Sequence, residues 1–146
     1  MRLSEHFTLE EFIHSQTASR LGIINEPNEM QGQSMIDLCV NVLERIRERF
    51  GKPVVIDSGF RSEELNNAVP NSSKSSQHTL GQAADIVIPG VPLVEVFLYI
   101  KDNLKYDQVI FELTWVHVSY KVHDNRMQAL RAIFDNGKVH YADWKD

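Results

Sequence analysis

Two segments of this chain carry side chains that could do chemistry together. One is Ser76-Gln77-His78-Thr79-Leu80-Gly81-Gln82-Ala83-Ala84-Asp85, and the other is Trp115-Val116-His117-Val118. Between them they offer two imidazoles and one carboxylate, a set of three zinc ligands. Three protein ligands leave a fourth tetrahedral position for water, which separates a catalytic zinc site from a closed structural one. The pattern points to a metallohydrolase. Cys39 is the one cysteine, so an intramolecular disulfide and a thiolate cluster are both excluded. Any zinc must sit on nitrogen and oxygen. Cys39 itself lies in an apolar helical run and reads as a small core residue.

Parity along the strands strengthens the set. Side chains alternate faces along a strand. Val116 and Val118 share the face expected to meet the core, while Trp115, His117 and Ser119 share the other. A two-residue connection at Leu113-Thr114 puts Glu112 opposite Trp115 and Ile110 opposite His117. Glu112 is then a same-face diagonal neighbour of His117, at about 7–8 Å between backbone positions. Leu-Thr is not a favoured hairpin pair, and a longer loop breaks this geometry. Plainer readings stand beside these. A lone strand histidine is usually a surface or hydrogen-bonded residue, and His78 in a polar loop is readable as solvated. Asp85 beside Ile86-Val87-Ile88 is harder to dismiss, because a buried carboxylate is costly unless paired or metal-bound. His6, His14, His123 and His140 lack such context and read as structural or surface residues.

The joint pattern Ser76-x-His78-x-x-Gly81-x-Ala83-x-Asp85 with Trp115-Val116-His117-Val118-Ser119 resembles the metal site of the zinc D-alanyl-D-alanine carboxypeptidase family. That family includes vancomycin-resistance D,D-dipeptidases and phage L-alanyl-D-glutamate endopeptidases, and it shares a fold with the hedgehog signalling domain. Ser58-Gly59-Phe60-Arg61-Ser62 with Leu65-Asn66 is similar to the family's upstream motif. Phe7-Thr8-Leu9-Glu10-Glu11-Phe12 through Asn25-Glu26-Pro27 is similar to its phage and prophage branch. The resemblance spans about residues 3–120. It implies zinc on His78, Asp85 and His117, and Arg61 binding a substrate carboxylate or a developing oxyanion. A planar guanidinium fork suits that task better than an ammonium, although a surface salt bridge to Glu63 or Glu64 is an alternative. Ser76, Gln77 and Trp115 are implied to line the cleft, with half-buried packing an equal reading for Trp115. Many relatives carry an acid three positions before the last histidine. Here Thr114 stands there, and the general base falls to Glu112, which looks like the phage-branch glutamate after a Gln-x-Ile-x pattern.

These residues need elements to hold them. Thr8 with Glu11 three residues on is a capping-box pattern ahead of a helix, and Phe7 with Phe12 forms a hydrophobic staple. Met35, Leu38, Cys39, Val42, Leu43 and Ile46 recur at helical spacing from about Glu29 to Phe50, with Gly51 and Pro53 as stop signals. Val54-Val55-Ile56 reads as a short strand and 62–68 as a short helix. Pro70 to Ser76 reads as a polar, mobile loop. Ala83 to Ile88 reads as a strand with Asp85 near its start. Leu93 to Leu104 reads as a helix with Val94, Phe97, Leu98 and Lys101 on nearby faces. Strands follow at 108–112, 115–120 and 129–136, with Asn136-Gly137 a hairpin signal. Early helices and late strands predict α+β, with N-terminal helices packed on an antiparallel sheet. The resemblance narrows this to the hedgehog/DD-peptidase-like fold.

Composition sets the outer bounds. The 146 residues, 42% hydrophobic and 24% charged, fit one globular domain over 1–146. A net charge of −5 lacks the basic footprint of a nucleic-acid binder. No run suits a membrane span, and the first residues contain no apolar signal-peptide core. A monomer made in the cytoplasm is expected, carried to the wall by a phage export or lysis system. Two functions follow: a zinc peptidase acting on peptidoglycan stem peptides, or an inactive zinc-containing module of the same fold that binds wall or partner.

Overall fold

A computed structural model describes every residue of the chain except Asn71 and Lys74. The loop expected to be mobile, Pro70–Ser76, includes those two residues, and that part of it lies outside the described residues.

The N-terminal half is helical, as its caps predict. Thr8 caps α1 (Leu9–Ile13), with Thr8 Oγ1 accepting from the Glu11 backbone and Glu11 Oε1 accepting from the Thr8 backbone. Phe7 and Phe12 are both buried in the core. A short α2 (Gln16–Leu21) follows. Asn28 and Gln31 make a second capping box at the start of α3 (Glu29–Leu38). A π-helical turn, Cys39–Leu43, joins α3 to α4 (Glu44–Phe50). In that turn the Glu44 amide reaches back five residues to the Cys39 carbonyl. Met35, Leu38, Cys39, Val42, Leu43 and Ile46 are all fully buried, so the widened turn keeps the apolar stripe facing inward. Gly51 ends the helix in the left-handed region, φ 64.

The strands are β1 (Val55–Ser58), β2 (Ala83–Val87), β3 (Gln108–Phe111), β4 (Val116–Ser119), β5 (Gln128–Asp135) and β6 (Lys138–Asp143). They form one sheet in the order β1-β2-β4-β3-β5-β6. The pairing is antiparallel except between β3 and β5, so the sheet is mostly antiparallel, as expected. The β3–β4 hairpin ends with Ser119 beside the start of β3, and residues 120–127 carry the chain from there to the other edge of β3. The next strand must then run in the same direction as β3 along its free edge. Asn136 and Gly137 both take positive φ, 53 and 76, the conformation the tight β5–β6 turn requires.

One face of the sheet meets the core through Ala84, Ile86, Val109, Val116 and Val118. Between β1 and β2 the chain forms α5 (Glu63–Ala68), and between β2 and β3 it forms α6 (Leu93–Asn103), whose Val96, Phe97 and Ile100 are fully buried. Val94 is exposed, while Val96 and Ile100 take core positions beside Phe97. Phe97, Phe111 and Trp144 pack edge to face and tilted against one another. Ile110 and Leu130 are buried but stand outside this core cluster. They lie on the opposite face, which carries Asp85 and His117. Among the described residues no helix is long and apolar enough to cross a membrane.

Candidate metal centre

Two strands and a turn bring the three candidate ligands together. Asp85 on β2 and His117 on β4 are direct cross-strand partners. Asp85 is the third residue of its strand, which begins at Ala83 as expected. His78 comes from a 3-10 turn, Gln77–Leu80, capped by Ser76 Oγ, which accepts from the His78 amide at 3.2 Å. Gly81 closes the turn at φ 73, and a Cβ there would lie 2.4 Å from the Gln31 carbonyl oxygen. Gln31 Nε2 in turn donates to the Thr79 carbonyl at 3.1 Å. The first turn of α3 is thus pressed against the backbone that carries His78.

The cluster is tight. His117 Nδ1 lies 2.9 Å from Asp85 Oδ1, and His78 Nε2 lies 3.4 Å from the same oxygen. One ligand atom from each of the three residues falls within 4.8 Å of the others. Ligands at about 2.0–2.1 Å around a tetrahedral ion stand about 3.3 Å apart, so the spacing fits zinc, as does the N,N,O donor set. His78 Nδ1 is 2.7 Å from the Gly59 carbonyl oxygen. That bond takes the Nδ1 proton and leaves the Nε2 lone pair for a ligand.

Charge is arranged to match. Burial pushes the His78 imidazole below its ordinary value, against the pull of Asp85, which favours the neutral form that binds metal. Burial alone would raise the Asp85 carboxyl, but the His78 and His117 rings outweigh it and hold the group well below the usual carboxylate range. Arg61 Nη2 stands 3.8 Å from Asp85 Oδ2. Its Nε donates to Ser58 Oγ at 3.2 Å and its Nη1 to Asn66 Oδ1 at 3.3 Å. Arg61 therefore pairs with Asp85, and the alternative pairing to Glu63 or Glu64 is not found among the described residues. A β-bulge at Asp57 lets Ser58, rather than Asp57, stand opposite Asp85.

Glu112 lies where parity places it. The β3–β4 register pairs Ile110 with His117 and Phe111 with Val116, and the Glu112 amide donates to the Trp115 carbonyl at 3.1 Å. The connection at Leu113-Thr114 is two residues long despite its unfavoured sequence. Glu112 is buried. Burial, and then the Asp85 charge, raise its carboxyl above the ordinary value. Thr114 is exposed on the turn.

The family model described as Peptidase M15 matches residues 5–119. The chain belongs to the M15 peptidase family. No curated protein matches it in sequence. M15 peptidases are zinc-dependent metallopeptidases, and His78, Asp85 and His117 form a group able to hold such an ion. Among the described residues of the M15 chain a second group of this kind, Glu5, His6 and Glu44, is more exposed. Its Glu44 already accepts from Ser4 Oγ and the His6 amide, and pairs with His6 Nδ1. His14, His123 and His140 are exposed.

The cleft-lining candidates of this M15 chain are placed as follows. Ser76 caps the His78 turn. Gln77 Nε2 bonds Gln82 at 3.1 Å, and its Oε1 accepts from Arg126 at 3.4 Å. Trp115 is half-buried on the His117 face, and its Nε1 is buried without a hydrogen-bond partner. Sequence reading missed the residues that hold the motifs in place. Asn25 donates to the Ile13 and Phe60 carbonyls and accepts from the Ser62 amide, which fixes the Gly59–Ser62 segment. Asn66 is buried and braces Arg61 while donating to the Ser73 carbonyl. Both asparagines stand inside quoted motifs, so the motif was a signal. Their partners lie far away in sequence, so the role was not.

Proposed function

We propose that this protein is a zinc peptidase that hydrolyses peptidoglycan stem peptides, of the D-alanyl-D-alanine carboxypeptidase or L-alanyl-D-glutamate endopeptidase type. His78, Asp85 and His117 would hold the metal. The observation that carries the reading is the approach of both imidazoles, at 2.9 and 3.4 Å, to one oxygen of Asp85. Bound zinc supplies a Lewis acid that polarises a carbonyl and acidifies water. The chain's own residues do the rest. Gly59 orients the His78 ring through Nδ1. Glu112, buried and on the His117 face, takes a proton from the attacking water and returns it to the leaving amine. A raised carboxyl suits that exchange better than an ordinary one. Arg61, steadied by Ser58 and Asn66, offers its guanidinium to a substrate carboxylate or to the developing oxyanion. Ser76, Gln77 and Trp115 border the cleft. Peptidoglycan as substrate rests on the motifs shared with enzymes that cut it. The protein acts as a monomer without nucleic acid or membrane, made in the cytoplasm and released to the wall by a phage export or lysis system.

One observation favours a second reading, an inactive zinc-containing wall- or partner-binding module: Thr114 occupies the usual base position. Digestion of purified peptidoglycan, with and without chelator and read by mass spectrometry, separates the two. The peptidase reading expects released peptides that vanish with chelator and return with zinc. Wall that is bound but uncut supports the module.

A further inference from the structure

Beyond Ser119 the chain leaves the family-matched region and builds β5 and β6. These strands widen the sheet face that carries the metal cluster. Register decides which side chains share that face. Asp85 pairs with His117, His117 with Ile110, Ile110 with Leu130, and Leu130 with Asp143. Directly paired residues lie on one face, and so do residues two apart on a strand. One row further along stand Trp115, just before β4, and Glu112, just after β3, joined by the Glu112 amide to the Trp115 carbonyl, then Ala132 and Tyr141, which pair across β5 and β6. Continuing the β3–β5 register by one residue from Phe111–Arg131 sets Glu112 beside Ala132. The methyl of Ala132 leaves low ground between the Glu112 carboxyl and the Tyr141 ring. Two strand spacings, about 9–10 Å, separate their backbones, a gap that two long side chains can share.

Tyr141 occupies that space. It is 50% exposed, so its ring is open to a ligand. Burial raises its phenol above the ordinary value, and the Glu112 and Asp85 carboxylates raise it further. The hydroxyl therefore stands close enough to the cluster to feel both acids.

We propose that Tyr141 is a substrate-binding residue that holds the leaving-group segment of the peptide. The inference rests on the peptidase reading above and adds the direction in which substrate lies. Glu112 must deliver its proton to the leaving amine, so that nitrogen sits at the Glu112 carboxyl. The ligand cluster lies on the β2–β4 side of Glu112, and the scissile carbonyl belongs there. The departing segment then runs from Glu112 the other way, over Ala132 and onto Tyr141. A phenol gives it a flat apolar face and one O–H donor for an amide or carboxylate oxygen.

Two peptide substrates with the same acyl part test this, one losing a single residue and the other losing three. With zinc content unchanged, Tyr141→Ala is expected to raise KM for the longer leaving segment about tenfold, with kcat changed less than about threefold, because it removes binding rather than proton transfer. The shorter substrate should respond less, and Tyr141→Phe should keep most of the effect of the ring. Equal losses on both substrates, or none on either, overturn the proposal. Should Tyr141→Ala not fold, NMR on wild-type protein with labelled tyrosine rings decides, using the three-residue product as probe. Contact between that peptide and the Tyr141 ring supports the proposal, and its absence overturns it. Wild-type protein that cleaves neither peptide counts against the peptidase reading, and the ring contact still reports on Tyr141.

Discussion

Asp85 is the residue on which the site's charges converge. It is almost fully buried, yet two imidazoles and a guanidinium face its two oxygens. A carboxylate so placed would be costly if alone, and the two imidazoles beside it hold it in the ionised form. Glu112 is its opposite, a buried acid with its carboxyl pushed up by burial and by the charge on Asp85. In the proposed peptidase, two acids on one face with opposite shifts would divide the work, Asp85 suited to a ligand and Glu112 to a proton carrier. Glu112→Gln is therefore expected to keep its zinc while hydrolysis falls by about 10²–10⁴-fold. Turnover of a stem peptide, with zinc content assayed on the same sample, checks both halves.

At the scale of elements, the site depends on close backbone approaches. The His78 turn fits under α3 only because Gly81 has no side chain. Gly59 is equally confined, since a Cβ there would meet the Phe12 carbonyl oxygen at 2.7 Å. Gly81→Ala combines a clash against backbone with a positive φ. It is expected to cost about 1–3 kcal/mol of stability and to weaken zinc binding by displacing His78. Denaturant unfolding and zinc titration of the variant measure the two effects. Much at this scale was legible in the sequence because it is local. The Thr8 capping box, the apolar stripe from Met35 to Ile46, the Asn136-Gly137 turn and the parity of His117 and Glu112 all follow from near neighbours. The π-helical turn at Cys39, the bulge at Asp57 and the parallel β3–β5 pair did not, because each answers to packing across the fold. The same holds within the site. The ligands carry a motif, whereas the grip of Asn25 on residues 60–62 and of Asn66 on Arg61 exists only once distant segments meet.

Across the whole molecule, the crossover at 120–127 is pinned by one buried acid. Asp107 is 1% exposed. It accepts from the Arg126 backbone at 2.9 Å, from Arg126 Nε at 3.1 Å and from Nη2 at 2.7 Å, with Lys121 Nζ at 3.7 Å. Arg126 also reaches Gln77 beside His78, so this network joins the late strands to the ligand turn. Burial opposes ionisation of Asp107, but Arg126 more than offsets it and lowers the carboxyl below its ordinary 3.8. A carboxylate lowered by folding stabilises the fold above its unfolded value, and that stability is lost as pH falls through the lower folded value. Asp107→Asn is expected to lose about 1–3 kcal/mol at neutral pH and to flatten the fall in stability below pH 3.8. Thermal melts of both proteins across an acid series check this.

His78, Asp85 and His117 are proposed to hold one zinc ion. Anomalous diffraction from crystals of the zinc-loaded protein tests it most directly. A single strong peak is expected within about 2.0–2.2 Å of His78 Nε2, His117 Nδ1 and an Asp85 oxygen. A loaded protein with no peak there, with Asp85 turned to Arg61 instead, or with its only peak at Glu5, His6 and Glu44, would contradict it.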